Sequence, residues 1–207
     1  MEDNTVNSRN WVRLFISTLL VGALSTAIVG FAVKWDEYSE LFVSFDLIEI
    51  LSILLWLIGV GFIFSIISQM GFFAYLTVHR FGLGIFRSLW NPVQLVLIAF
   101  VFFDLVYFRY QVFATKGESL NSYIGTALLL LLLSLVIAYY KMKQTNKHAF
   151  VPALFFMYVV TTIEWFPALR VNEESWLYLM LLPLLICNAY QLLILHRLNT
   201  ATNAKKG

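Results

Sequence analysis

The sequence predicts an all-α membrane protein, built as a single bundle of about six transmembrane helices. Of its 207 residues, 60% are hydrophobic and only 13% are charged, whereas a soluble domain is roughly half apolar and about a quarter charged. The apolar residues are also grouped into blocks of about 20 residues, the length that crosses a hydrocarbon layer of about 30 Å. The sequence therefore predicts that lipid surrounds much of the chain.

Six apolar blocks follow one another along the chain, and each predicts one transmembrane helix. The predicted spans are 11–33, 47–67, 92–113, 122–140, 150–169 and 176–196. The first block exceeds the apolar core of a typical signal peptide, so we expect it to remain as an anchor. The third begins at Pro92, whose missing amide proton is harmless in a first helical turn. No repeat or long linker interrupts the series, so a single domain over 1–207 is expected.

The connections between the blocks are rich in polar and aromatic residues. An acidic, aromatic loop is expected at 34–45, where Trp35 and Tyr38 suit a membrane interface. The stretch 68–91 predicts a helix end, a turn near Gly82 and an interfacial segment. The candidate cytoplasmic interfacial segment, expected to contact lipid headgroups, consists of His79, Arg80 and Arg87.

Lysine and arginine are distributed unequally between the two sides of the predicted bundle. With six spans, ten of the 14 basic residues fall on the side that holds both termini, and four fall on the other. Basic loops next to spans stay in the cytoplasm, so both termini are expected there, with the chain in the cell membrane. Because the basic residues are scattered at span ends, they do not indicate nucleic-acid binding.

Ionisable residues inside the spans are the main candidates for function, because a charge at membrane depth is costly and needs a partner or water. The candidate intramembrane polar cluster consists of Glu49, Asp104, Arg109 and Glu164. Asp104 and Arg109 are five positions apart, which on an α-helix separates them by about 140° and predicts different neighbours. Arg109 is expected to pair with Glu164 first or Glu49 second. The cluster predicts either an ion pair that fixes helix packing or an outward-opening pocket for a small ligand or cation.

Two other groups of residues predict helix packing. Gly22, Thr26 and Gly30 recur every four residues in the first span and form a candidate helix-packing face, because small residues allow close contact. Asn188 and Gln191 share one face of the last span and are expected to form hydrogen bonds with another helix.

The sequence carries no motif for metal, phosphate or nucleophile chemistry. Its three histidines are dispersed and its one cysteine, Cys187, lies inside the last apolar block, so no metal-ligand set is expected. It contains no His-Glu-x-x-His motif, phosphate-binding loop or Gly-x-Ser-x-Gly elbow. We therefore expect no cofactor and no enzymatic activity.

Five stretches of the sequence carry a resemblance to a known family. They are QMGFFAYLTVHRFGLG at 69–84, SRNWVRLF at 8–15, WLIGVG at 56–61, FDLVYFRY at 103–110 and KGES at 116–119. Together the chain from about residue 8 to 197 resembles the KinB-signalling pathway activation proteins, the KbaA family. The resemblance implies a multispan membrane protein of endospore-forming bacteria, required for the sensor histidine kinase KinB to feed phosphate into the sporulation relay. It assigns no functional residue.

The resemblance favours a non-enzymatic membrane regulator that activates a sensor histidine kinase, with the bilayer and the kinase as partners. The ionisable residues inside the spans also predict an alternative, a small transporter or channel with a polar pocket in the outer half of the bundle. A lipid-modifying enzyme is a third class. It is disfavoured because the acidic residues are expected near the leaflet opposite to Arg80 and Arg87.

Overall fold

The computed structural model describes the backbone of residues 8–114 and 119–203 and the side chains of residues 9–114 and 119–195. Within those residues the protein is helical and contains no strand, as the predicted all-α class requires. The α-helices are α1 (Ser8–Val33), α2 (Trp35–Ser44), α3 (Leu47–Phe86), α4 (Trp90–Phe103), α5 (Arg109–Phe113), α6 (Leu120–Gln144), α7 (Phe150–Phe155), α8 (Thr161–Val171) and α9 (Glu174–Asn203). The basic residues Lys116, Lys205 and Lys206, used to predict the orientation, lie outside the described residues.

Short turns of other helical types join several of these helices. Arg87–Leu89 and Lys147–Ala149 are 3-10 turns, whereas Asp104–Phe108 and Phe156–Val160 are π-helical turns. In the part of the chain that is described, five helical stretches are long and apolar enough to cross a membrane. One of them, Leu47–Phe113, is 67 residues long and contains both the second and the third predicted span.

The chain divides into two compact units, one formed by Met1–Met70 with Glu173–Gly207 and the other by Gly71–Asn172. We call them the terminal unit and the central unit. The boundary between them falls inside α3. The single domain expected over 1–207 stays a prediction.

In the terminal unit, small residues bring α1 close to α3. A Cβ atom at Gly22 would lie 2.6 Å from the Cβ of Ser65 and 2.8 Å from the backbone oxygen of Gly61. A side chain at Gly30 would overlap Leu57. Thr26 is fully buried. The candidate packing face of Gly22, Thr26 and Gly30 therefore faces other helices of the same chain, which leaves it closed to a partner.

The central unit is built around large buried side chains of α7, α8 and the π turn between them. Phe156, Tyr158 and Trp165 are all fully buried. Phe156 makes an edge contact with Phe72 of α3, with ring centres 5.3 Å apart. The helices α4 and α6 both pack against α7. The fifth predicted span thus forms the core of this unit.

The connection expected as a loop at 34–45 is instead the ten-residue helix α2. Trp35 and Phe42 stack on one side of it, with ring centres 5.6 Å apart, and Phe42 also contacts Phe31 of α1. Lys34 donates a hydrogen bond to Glu37 at 3.0 Å, and this bond raises the pKa of Lys34. The acidic residues that suggested a loop lie in the first turn of α2, where they stabilise a helix N-terminus.

The second predicted span continues well past residue 67, and the turn expected near Gly82 is not there. The helix α3 runs for 40 residues to Phe86, a length of about 60 Å at 1.5 Å per residue. The change of direction comes at Arg87, whose φ of 49° lies in the left-handed region. Gly82 lies within the helix instead, and its lack of a side chain leaves room for the ring of Trp90, which a Cβ atom there would overlap.

Candidate functional site

Three charged residues surround one pocket in the central unit, with a volume of about 280 Å³. Its lining comes from the π turn before α5, from α5 itself and from α8. The lining residues are Asp104, Leu105, Phe108, Arg109, Val112, Phe113, Phe166, Leu169 and Arg170. One carboxylate and two guanidinium groups therefore border a space whose walls are otherwise apolar.

The π turn determines that Asp104 and Arg109 share this pocket. The backbone N–H of Arg109 donates to the carbonyl oxygen of Asp104, a bond between residues five apart, whereas an α-helix joins residues four apart. Residues five apart in such a turn therefore lie one above the other along the helix. The two side chains line the same pocket, but their partners differ, as expected from the sequence: Arg109 donates to Asn172, and Asp104 forms no ion pair with any described residue.

Asp104 is exposed, although it lies within a long apolar stretch. No described residue donates a hydrogen bond to its carboxylate or forms an ion pair with it. The aromatic side chains beside it, Tyr107 and Phe108, are 43% and 45% exposed. The surface around Asp104 is therefore apolar except for one carboxylate and the nearby guanidinium groups.

Arg109 connects three helices of the central unit. Its Nε and Nη2 atoms both donate to Oδ1 of Asn172, at 3.3 and 2.8 Å. Its guanidinium group lies 5.2 Å from the ring centre of Tyr123 in α6 and 6.0 Å from that of Trp165 in α8. These distances are typical of cation–π attraction. Asn172 ends α8 in the left-handed conformation, with a φ of 54°, so the residue that caps α8 also holds Arg109.

The two glutamates of the predicted cluster lie in different units. Glu164 of the central unit is 6% exposed, and its carboxylate occupies the space that a side chain at Gly71 would need. Glu49 of the terminal unit is exposed in the first turn of α3, where its N–H donates to Asp46 at 3.2 Å. The pairing of Arg109 with Glu164 or Glu49 stays a prediction.

Comparison with known proteins decides the family. A family model described as KbaA, KinB-signalling pathway activation in sporulation, matches residues 22–198. The chain belongs to the KbaA family. A KinB-signaling pathway activation protein of Bacillus subtilis (strain 168) is 58% identical over 192 residues, which cover 92% of this chain and 97% of that relative. No solved structure matches the chain.

Within this KbaA-family chain, the stretch 71–84 is a packing element of the central unit. Trp90 donates from Nε1 to Nδ1 of His79 at 3.0 Å, and its ring lies against Gly82. Tyr75 donates from its hydroxyl group to a backbone carbonyl of α7 at 3.0 Å. His79 therefore contacts protein groups, and the headgroup contact expected for it stays a prediction.

The other two residues of the candidate interfacial segment, Arg80 and Arg87, are exposed. Large apolar side chains lie between them, with Phe81 66% and Ile85 73% exposed. A surface that mixes basic and large apolar groups is typical of segments at a bilayer interface. Their role at the membrane surface stays a prediction.

The hydrogen bonds predicted for Asn188 and Gln191 are confirmed. The hydroxyl group of Ser68 in α3 donates to Oδ1 of Asn188 at 2.7 Å and accepts from Nε2 of Gln191 at 2.6 Å. All three side chains are fully buried. This network therefore fixes α9 against α3 within the terminal unit.

Two residues of the pocket region were not anticipated from the sequence. Arg170 lies directly after the predicted fifth span, and it lines the pocket with Asp104. Asn172 carries a recognisable signal, since asparagine directly after an apolar helix often adopts the left-handed cap conformation. Its bonds to Arg109 could not be predicted, because they join residues far apart in the sequence.

Proposed function

We propose that this chain is a multi-pass membrane protein that activates a KinB-type sensor histidine kinase by contact between helices, without chemistry on a substrate. The observation that carries the proposal is the 58% identity, over 92% of the chain, to a KinB-signaling pathway activation protein. At this identity and coverage, relatives share their fold, and the same role in the pathway is the simplest expectation. The bilayer and the kinase are the proposed partners.

The exposed surfaces of the helices support insertion into a membrane. Large aliphatic side chains of α3, α4 and α6 are more than half exposed, among them Leu55, Val96, Leu132 and Val136. So many exposed large apolar side chains are unusual on soluble monomers. Lipid tails would cover these side chains without cost, because the tails are equally apolar. We place both termini in the cytoplasm, as the distribution of basic residues predicts.

Activation by contact follows from the linkage between binding and conformation. A regulator shifts a kinase between two states only as far as it binds one state more tightly than the other. Activation therefore requires a complex in which the kinase is held in its signalling state. The proposal needs no catalytic group on this chain.

The test is genetic epistasis in the native host. Deleting the gene for this chain should lower phosphorylation of the sporulation relay in cells that depend on KinB. The control is a strain that lacks KinB and signals through another kinase, in which the same deletion should change nothing. Equal loss in the two strains would reject the proposal.

The pocket that contains Asp104 and Arg109 also favours a second candidate, transport of a small ligand or cation. Charged groups inside the apolar helices of membrane proteins often mark a substrate path. Purified protein in liposomes should then move a labelled cation or amino acid at a rate that Asp104→Asn lowers. Rates equal to those of protein-free liposomes would remove this candidate.

A further inference from the structure

We propose that the surface around Asp104 binds a transmembrane helix of the partner kinase, and that this helix presents a cationic or hydrogen-bond-donating side chain to Asp104. The Asp104 surface is defined here as Asp104, Phe108, Val112, Phe166 and Arg170. The inference rests on the proposed function and names the place of contact.

The first reason is that the Asp104 carboxylate is exposed and has no hydrogen-bond or ion-pair partner among the described residues. Asp104 lies nine residues before the end of α5, hence on the order of 13 Å below that end. In a bilayer this position faces hydrocarbon, where a charged or polar side chain without a partner is strongly disfavoured. A partner that donates to the carboxylate removes the penalty.

The second reason is the shape and composition of the surface. The π turn places Asp104 and Arg109 beside one pocket of about 280 Å³. Around its rim Phe108, Val112 and Phe166 are 45%, 71% and 61% exposed. A helix laid along α5 and α8 would cover these side chains and seal the carboxylate from lipid. Single π turns inside helices are frequent at functional sites.

The chemistry of the partner follows from the two exposed charges. Asp104 lies near the middle of the predicted span 92–113, whereas Arg170 is one residue before the end of α8. A matching helix carries lysine, arginine or another donor near its own midpoint. It carries an acceptor, such as glutamate or aspartate, about 10 Å nearer the end that meets Arg170.

A second copy of this chain fits less well. Two copies in one membrane with the same orientation are related by an axis along the membrane normal, so equal groups meet at equal depth. Asp104 would then face Asp104, and like charges repel. A phospholipid fits less well too, because its headgroup could reach Arg170 but its acyl chain would lie against Asp104.

Site-specific photo-crosslinking in the native host tests the proposal. A benzophenone amino acid replaces Phe108 in one variant. As the control it replaces Leu132 of α6, which at 59% exposed is more accessible than Phe108 at 45%. Both variants are expressed with epitope-tagged KinB. We expect a KinB adduct from position 108 and none from position 132. An adduct with a second copy, an adduct with lipid only, or equal KinB yields from the two positions would overturn the proposal.

A substitution separates binding from folding. Asp104→Leu removes a lipid-facing charge, so its abundance should equal or exceed that of the natural chain. The same change should lower the KinB adduct at position 108 by about thirtyfold or more, the usual effect of removing one member of a sealed charge pair. An unchanged adduct would exclude Asp104 as the contact. If deletion of the gene still lowers KinB-dependent relay phosphorylation while the adduct fails to form, the proposed function stands and only the surface is wrong.

Discussion

The close contact between α1 and α3 predicts that alanine at Gly61 destabilises the protein, and Gly59 of the same helix provides the control position. A Cβ atom at Gly61 would lie 2.7 Å from both the Cα of Ala23 and the backbone oxygen of Gly22. Both contacts are with backbone atoms, which cannot rotate away as a flexible side chain could. At Gly59, two residues earlier in the same helix, a Cβ atom would meet nothing within 4 Å.

The two positions therefore separate steric overlap from helix propensity. Gly59→Ala should be neutral or stabilise the protein by up to about 1 kcal/mol, because alanine loses less conformational freedom in a helix than glycine. Gly61→Ala gains the same propensity but must move α1, and overpacking costs about 1–3 kcal/mol. Because the propensity term is common to both variants, their free energies of unfolding should differ by the overpacking cost, about 1–3 kcal/mol.

Reversible unfolding of the detergent-solubilised protein, followed by loss of helical circular dichroism during titration with a denaturing detergent, measures this difference. The natural chain, Gly59→Ala and Gly61→Ala are compared in the same micelles. Equal stability of the two variants would refute the assignment of α1 to the face of α3 that contains Gly61.

Three further predictions concern single contacts and topology. Replacing Asn172 with glycine keeps the left-handed cap but removes both hydrogen bonds to Arg109. The free energy of unfolding in the same assay should therefore fall by about 1.5–3 kcal/mol. No loss would show that these bonds contribute nothing to stability. Tyr75→Phe removes one buried hydrogen bond to α7 and should cost about 1 kcal/mol, measured in the same way, whereas a neutral result would contradict that bond. A cysteine that replaces Ser119 should react with an impermeant thiol reagent on whole cells, and a cysteine that replaces Lys147 should not. The natural Cys187 is buried and should not react in either variant. The reverse labelling pattern would overturn the predicted orientation.

The positions of the apolar helices could be predicted from the sequence, because length and hydropathy are local properties. The bounds of α6, Leu120–Gln144, lie within a few residues of the predicted span 122–140. Family resemblance could also be recognised from short stretches of sequence. Neither kind of signal depends on contacts between distant residues.

The errors arose where packing overrides local signals. Gly82 indicated a turn, but it is a helical residue that leaves room for Trp90. The acidic residues after Lys34 indicated a loop, but they begin α2. At such positions the local sequence is compatible with either a helix or a turn, and contact with a distant side chain or helix determines which one forms.

The pocket was the hardest feature to predict. The angle between Asp104 and Arg109 was derived from 3.6 residues per turn, and a single π turn changes it. No pattern in this sequence predicts the π turn at Asp104–Phe108. The contribution of Arg170 depends on how α8 packs beside α5, which is a property of the folded unit.

Reconstitution from purified components tests whether this chain activates the kinase by direct contact. Purified KinB is placed in liposomes alone, with the natural chain, or with the Asp104→Leu variant, and its autophosphorylation rate is measured with labelled ATP. We expect a faster rate with the natural chain than with KinB alone, and a rate close to that of KinB alone with the variant. The same rate with and without the natural chain would contradict activation by direct contact.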